Sequence, residues 1–304
     1  MGFSITSNYA GEHAGQYIGA ALKSAKSLEY LTVLENVKFK RNITKVATSG
    51  LIADATCDFT DAGTVTLTER VLNPKELQIN VDLCKKDLLA DWQASQMTGG
   101  AHDRGMSADF TAFLFSRLSG TIADHVEEKI WQGLDSDAGS FTGFMHAGNG
   151  HFENDTAIVE ADNEGGAGTA FTSANLDNNL VNITASIPSA VYGKEDLFIY
   201  MSTATYRLYL ENQAANQNIA WNMGDNFVPM YNGIKIAVCP GMVDNKMAAG
   251  QKSNLFFGTD LLSDHTSIKV LDMGELDGSD NIRVVAKFTA GTQHAQGSDI
   301  VRLD

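Results

Sequence analysis

Between residues 108 and 134, Phe110, Leu114, Leu118, Ile122, Val126, Ile130 and Leu134 recur at every fourth position. That spacing lines them along one stripe of an α-helix. Ser107 stands at the N-cap position, Asp109 falls in the first turn, and Gly133 can end the helix. At roughly 1.5 Å per residue, a helix over residues 108–132 spans about 40 Å. A rod of that length is a beam. The rest of the chain must supply the surface that covers its apolar stripe.

The segment before the helix alternates with period two. Thr64, Thr66 and Thr68 interleave with Val65, Leu67 and Glu69, ahead of Arg70, and residues 77–83 alternate again. Asp61-Ala62-Gly63 is a turn in which glycine is free to take a positive φ. These runs predict a long two-stranded arm over residues 42–83. A lone ribbon is at best marginally stable in water, and its threonine-rich strands are poor core material, so the arm is expected to find its stability on another subunit. Asp61, Thr64, Thr66, Thr68, Glu69 and Arg70 are the candidate contact residues. Residues 1–40 read as an extended start and a short helix, with Tyr17, Ile18, Ala21, Leu22 and Ala25 on one face. Residues 87–106 are a connector broken by Gly99, Gly100 and Gly105, and residues 133–170 are loop-rich around one short strand.

From Thr172 the pattern becomes α/β. Leu176, Leu180, Ile183 and Ile187 mark a helix capped by Thr172 or Ser173. Residues 197–201 are a buried strand, and Ser202 caps a second helix running to about Asn212. Further strands are expected at 233–240, 254–260, 268–273, 282–288 and 299–304, with a hairpin turn at 277–280. The class is α+β, and no internal repeat is evident.

Charge and composition narrow the function. The net charge of −15 argues against a nucleic-acid reader. Residues 1–45 hold six bases against three acids, a net of +3, which leaves −18 for the remainder. An arm docking on the acidic body of a neighbouring copy fits this asymmetry, as does a solvated N-terminal helix. Cys57, Cys84 and Cys239 are odd in number and far apart, which argues against a disulfide framework or zinc knuckle and favours a reducing cytoplasm. No apolar run approaches the ~20 residues of a membrane span. Met1-Gly2 with Thr6 formally matches a myristoylation motif, but no polybasic patch accompanies it.

Chemistry-bearing motifs are missing. There is no Walker A loop, GxGxxG, HExxH, nucleophile elbow or EF-hand loop. His146 and His151, followed by Glu153 and Asp155, match no strong metal spacing and read as a polar surface loop. His125 reads as a solvated-face histidine, and Cys239 as a small core residue. No catalytic role, cofactor or metal is expected.

The order of elements resembles one family. LFIYMSTATYRLYLENQ at residues 197–213, MYNGIKIAVCPGM at 230–242, NLFFGTDLLSDHTSIKVLDMGEL at 254–276 and RVVAKFTAGTQHAQGSDIVRLD at 283–304 are similar in style and order to segments of tailed-bacteriophage major capsid proteins of the Hong Kong 97-type fold. The resemblance covers nearly the whole chain. It implies an N-terminal arm over 1–41, a β-hairpin E-loop over 42–83 and a peripheral domain over 84–170 with its spine helix at 108–132. An axial domain follows over 171–258, with a return to the peripheral domain over 259–304. It further implies self-assembly into hexamers and pentamers of an icosahedral shell around double-stranded DNA, contacted non-specifically. Separate scaffolding, portal and cement proteins are the further partners, and the place is the virion capsid, assembled in the host cytoplasm.

Two departures bear on this. Some members cross-link a lysine far out on the β-arm to a neighbour's asparagine, yet here no lysine lies between Lys45 and Lys75. Some begin with a long scaffolding segment, whereas this sequence enters the arm almost at once, so scaffolding is expected to be separate or already removed. Two other readings stay open: an encapsulin-type compartment with a shorter β-arm and a cargo-binding N-terminal helix, and a soluble α/β enzyme or binding protein.

Overall fold

The computed structural model describes residues 25–52, 54–55, 57, 63–84, 108–215, 228–260, 268–275, 278–279 and 281–304. In chain order the strands are β1 (Thr32–Leu34), β2 (Arg41–Ser49), β3 (Thr64–Leu72), β4 (Lys75–Cys84), β5 (Val159–Glu160), β6 (Leu197–Met201) and β7 (Met230–Tyr231). They continue with β8 (Ile234–Val238), β9 (Met247–Gln251), β10 (Leu255–Thr259), β11 (Ile268–Asp272), β12 (Asn281–His294) and β13 (Val301–Leu303). The α-helices are α1 (Ala108–Gln132), α2 (Leu176–Ser186) and α3 (Thr203–Ala215).

One five-stranded sheet is organised by β12. Its long run pairs antiparallel with β4 on one side and with β11 and then β10 on the other, and β1 adds in parallel to β10. A six-stranded sheet runs β5-β13-β9-β6-β8-β7. The ribbon β2–β3 pairs with neither.

Helix α1 spans Ala108–Gln132, as the stripe predicts. Ile122, Val126 and Ile130 are buried in one apolar cluster with Leu77, Val270, Val284 and Phe288 of the five-stranded sheet, and Leu118 packs half-buried at its edge. The side chains of Phe110 and Leu114, and the cap at Ser107, lie outside the described residues. Four residues advance a helix by more than one turn, so an every-fourth row winds around the rod. The adjacent row, Ala123, Glu127 and Trp131, is accordingly buried as well.

The six-stranded sheet is apolar on both faces, and its strands alternate between two clusters. Leu197, Ile199, Met201, Ile234 and Ile236 pack under α2 with Leu180 and Ile183. Phe198, Tyr200 and Ala237 face the other way, into the cluster that contains α1. There Trp131 meets Tyr200 at 5.5 Å between ring centroids, and the Tyr200 hydroxyl donates to the Tyr30 carbonyl at 2.9 Å. Ser202 caps α3: its Oγ accepts the Thr205 N–H at 3.2 Å. At α2 the cap is Asn175, fixed through the Thr172 side chain.

The strand pairings correct three expectations. The second strand of the arm is not residues 77–83: β3 pairs with β2, from Arg41↔Leu72 to Ser49↔Thr64, and β4 lies along β12. Both segments alternate, so periodicity alone could not choose the partner. The segment 255–259 joins the five-stranded sheet rather than the α/β lobe, and the closing strand β13 joins the lobe's sheet beside β9 and β5. The helix expected around Tyr17–Leu22 lies outside the described residues, and the chain enters the description through a short 3-10 helix at Lys26–Tyr30.

Candidate assembly arm and its root

The ribbon β2–β3 has nine cross-strand pairs. At about 3.3 Å per residue it extends about 30 Å. Directly opposed residues share a face. One face therefore carries Asn42, Thr44, Val46 and Thr48 with Val65, Leu67, Glu69 and Val71. The other carries Ile43, Lys45, Ala47 and Ser49 with Thr64, Thr66, Thr68, Arg70 and Leu72. On the first face Val46, Val65, Leu67 and Val71 are exposed, Val46 and Leu67 by 60% and 64%. At the far end Ile52 is 98% exposed. The ribbon is thus not poor in apolar residues, as its threonines suggest; it presents them to solvent.

The candidate residues fall unevenly on this geometry. Thr64, Thr66 and Thr68 are exposed but lie on the face that, at the root, turns toward the arm's own body. Glu69 accepts the Asn42 side-chain amide at 2.7 Å across the ribbon. Arg70, expected to make an intersubunit charge contact, is paired in the single chain with Asp155 and keeps its side chain 33% exposed. Asp61 lies outside the described residues.

The root is built where β3 bends into β4. Leu72 is fully buried. The Gln293 side chain donates to the Val71 carbonyl at 3.0 Å. Lys75 contacts Asp135 at 3.3 Å in the loop after α1. Beside them lies an ionic cluster that sequence spacing does not reveal. Asp155 Oδ2 accepts from Arg70 and faces His294 Nε2 at 2.8 Å, while its Oδ1 accepts the Ala157 N–H at 3.0 Å. Burial opposes the Asp155 charge, but these hydrogen bonds and Arg70 outweigh it and hold the carboxyl below its usual range. Burial pushes His294 below the usual imidazole value despite its carboxylate partner. His151, with ring centroid 6.3 Å from that of His294, is pushed down to about 4 by burial and by the other imidazole. The segment read as a polar surface loop is therefore partly internal, with His151 Nε2 and His146 Nδ1 buried and unpartnered. Among the described residues no group of three His, Cys, Asp or Glu could hold a metal ion.

A second junction joins the N-terminal segment to the beam. The buried Glu127 carboxylate of α1 accepts the Ser27 N–H at 2.9 Å, the Ser27 hydroxyl at 2.5 Å and the Gly241 N–H at 3.3 Å. Trp131 Nε1 donates to Ser27 Oγ at 2.7 Å. Gly241 lies so close to α1 that a Cβ there would meet the Glu127 carbonyl oxygen at 2.1 Å. Glu127 carries no sequence signal of its own, because it reads as one of several charges on a helix. Cys239, nearby, is fully buried and its thiol is pushed well above the usual range by burial, as a small core residue would be. Among the described residues no helix is long and apolar enough to cross a membrane.

No protein-family model matches the sequence, and no curated protein matches it either. Solved structures do. The capsid of a native GTA particle superposes with a TM-score of 0.63 at 15% identity, covering 92% of this chain and 89% of that one. The Gordonia phage Cozz structure gives 0.59 at 10% identity, covering 92% and 86%. A virus-like particle from Pyrococcus furiosus gives 0.53 at 11% identity, covering 96% and 98%. The likeness spans nearly the whole of each chain, and the fold is the Hong Kong 97-type capsid fold.

Proposed function

We propose that this chain is the major capsid protein of a tailed phage, which assembles copies of itself, as hexamers and pentamers, into an icosahedral shell around double-stranded DNA. Its role is structural and not enzymatic, and its place is the virion capsid, assembled in host cytoplasm. The observation that carries the reading is the ribbon β2–β3: an arm of about 30 Å with one apolar face, Val46, Val65, Leu67 and Val71, left in solvent. Exposed apolar surface of that extent marks an interaction site. A symmetric shell covers it by laying each arm on the next subunit, an interface repeated around closed axes.

On this reading the ribbon is the E-loop, the five-stranded sheet with α1 is the peripheral domain and its spine, and the α/β lobe is the axial domain that meets its copies around capsomer axes. The intersubunit residues of the arm are then its apolar face together with Thr64, Thr66 and Thr68 beyond the root. Scaffolding, portal and cement proteins are separate chains. The acidity of the chain suits a container for DNA, since strong adhesion requires Lys and Arg on phosphates.

Purified full-length protein should give closed particles in negative-stain micrographs, and light scattering should show hexamers, pentamers or shells. Replacing residues 44–69 with a short Gly-Ser turn should leave a folded chain that makes none. A stable, well-ordered monomer at high concentration, with no particles under any condition, would refute the reading. Particles that enclose a cargo enzyme and no DNA would favour the encapsulin alternative.

A further inference from the structure

We propose that Arg70, Asp155 and His294 form an acid-releasable latch that fixes the root of the arm to its own subunit at neutral pH. The inference rests on reading β2–β3 as the intersubunit arm, and it assigns that arm a control.

The geometry supplies one acceptor for two donors. Arg70 and His294 both address Asp155 Oδ2, and Oδ1 is occupied by the Ala157 N–H. The carboxylate fills the space that a side chain at residue 297 would take: a Cβ at Gly297 would lie 2.0 Å from Oδ2. Among the described residues, the charged and titratable groups gathered around it are Arg70 from β3, His151 from the loop before β5 and His294 from β12. With His294 neutral, its Nε2–H donates to Asp155 and its buried Nδ1 is bare. One carboxylate then balances one guanidinium.

Acid breaks that balance. A proton on His294 Nδ1 makes a second cation on the same oxygen, and a proton on His151 adds a third within the cluster. Like charges this close in a poorly solvated site repel strongly. The His294 side chain is fully enclosed and cannot leave. The Arg70 side chain is 33% exposed, so it is the member able to turn to solvent. Leu72 and the Gln293–Val71 bond keep the end of β3 in place. The ribbon is therefore freed from Arg70 outward, with its hinge at residues 71–72.

Amide hydrogen exchange on the purified full-length chain, corrected for the intrinsic effect of pH, tests this. Between neutral pH and about pH 4, exchange across residues 41–47 and 64–70 should rise about tenfold, while β4 and β12 remain protected. H294Q keeps a donor to Asp155 without titrating, and should abolish the rise. R70M alters a partly exposed side chain and should show the raised exchange already at neutral pH. A pH-invariant ribbon in the wild type, an equal rise in H294Q, or wild-type protection in R70M at neutral pH would each overturn the latch. Particle formation by the same samples is scored separately. Shells with a pH-invariant arm would sink the latch and leave the capsid reading standing. A pH-responsive arm in a chain that never forms particles would do the reverse.

Discussion

Gly258 of β10 and Gly291 of β12 are register partners, and the arm's root is seated on the pair. A Cβ at Gly258 would lie 2.6 Å from Leu72 Cδ2, and one at Gly291 would lie 2.9 Å from Pro74 Cα. Two adjacent positions without side chains make the saddle over which the chain passes from β3 to β4. The direction in which the arm leaves the body follows from that seat.

Filling the saddle should therefore move the arm. Gly291→Val sets its bulk against backbone, which cannot swing aside as a side-chain tip can. Overpacking of this kind costs about 1–3 kcal/mol. Thermal unfolding should show a lower Tm, and shell assembly should fall further than the loss of stability explains. Unchanged stability with normal particles would show that the seat is loose.

The two faces of the ribbon separate folding from assembly. Leu67 is exposed in the single chain, so Leu67→Asp should change its stability by no more than about 0.5 kcal/mol. The same substitution should abolish particles if that face lies on a neighbour. Thr66→Ala, on the opposite face, should be milder. Light scattering beside chemical denaturation distinguishes the two effects, and a Leu67→Asp chain that assembles normally would move the contact elsewhere.

Glu127 is the polar knot between the N-terminal segment, α1 and the α/β lobe. Glu127→Ala leaves the Ser27 and Gly241 N–H groups buried without acceptors. Each such group costs about 1–3 kcal/mol. The chain should unfold at lower denaturant concentration, and proteolysis should cut residues 25–31 before the body opens. Resistance of that segment equal to wild type would show that Leu31 and Tyr30 hold it without Ser27.

The His151 shift fixes the sign of a pH effect. Its pKa is depressed in the fold to about 4, against an ordinary 6.5. The folded state therefore resists a proton that the unfolded chain accepts. The stabilisation is complete above pH 6.5, falls as the pH drops from there to about 4, and then levels off. A shift of that size corresponds to up to about 3 kcal/mol. Denaturant midpoints measured across this window should decline for the wild type and flatten in His151→Gln. A wild-type profile as flat as that of the variant would remove His151 from the account.

The beam helix was legible because a long apolar row has one physical solution, and Ile122, Val126 and Ile130 are buried as their spacing requires. The lobe was legible for the same reason, since Leu197–Met201 and Ile234–Val238 are runs with nowhere to go but inside. Strand partnership was not. Thr64–Leu72 and Lys75–Cys84 alternate alike, and only the bend at Asn73-Pro74 over the two glycines separates arm from sheet. The Asp155 cluster was hidden because its members come from residues 70, 151, 155 and 294 and meet only in the fold. Arg70 illustrates the general difficulty: a charge on a strand-like segment reads as exposed until a distant carboxylate is placed beside it.

Shells of this chain should be held together without covalent links. An isopeptide bond needs an amine carried by the arm to a neighbour's asparagine, beside a carboxylate that takes up the proton. No lysine lies between Lys45 and Lys75. Lys45 sits on the ribbon opposite Thr68, and Lys75 is tied to Asp135 at the root. Cys57, exposed in the segment between β2 and β3, offers a thiol and no amine. Cohesion then rests on the apolar face of the arm, on hydrogen bonds and on any separate cement protein. Boiled particles on a denaturing gel should run as one band near 32.7 kDa. A ladder of dimers, pentamers and hexamers that survives reductant would show that another part of the chain supplies the amine.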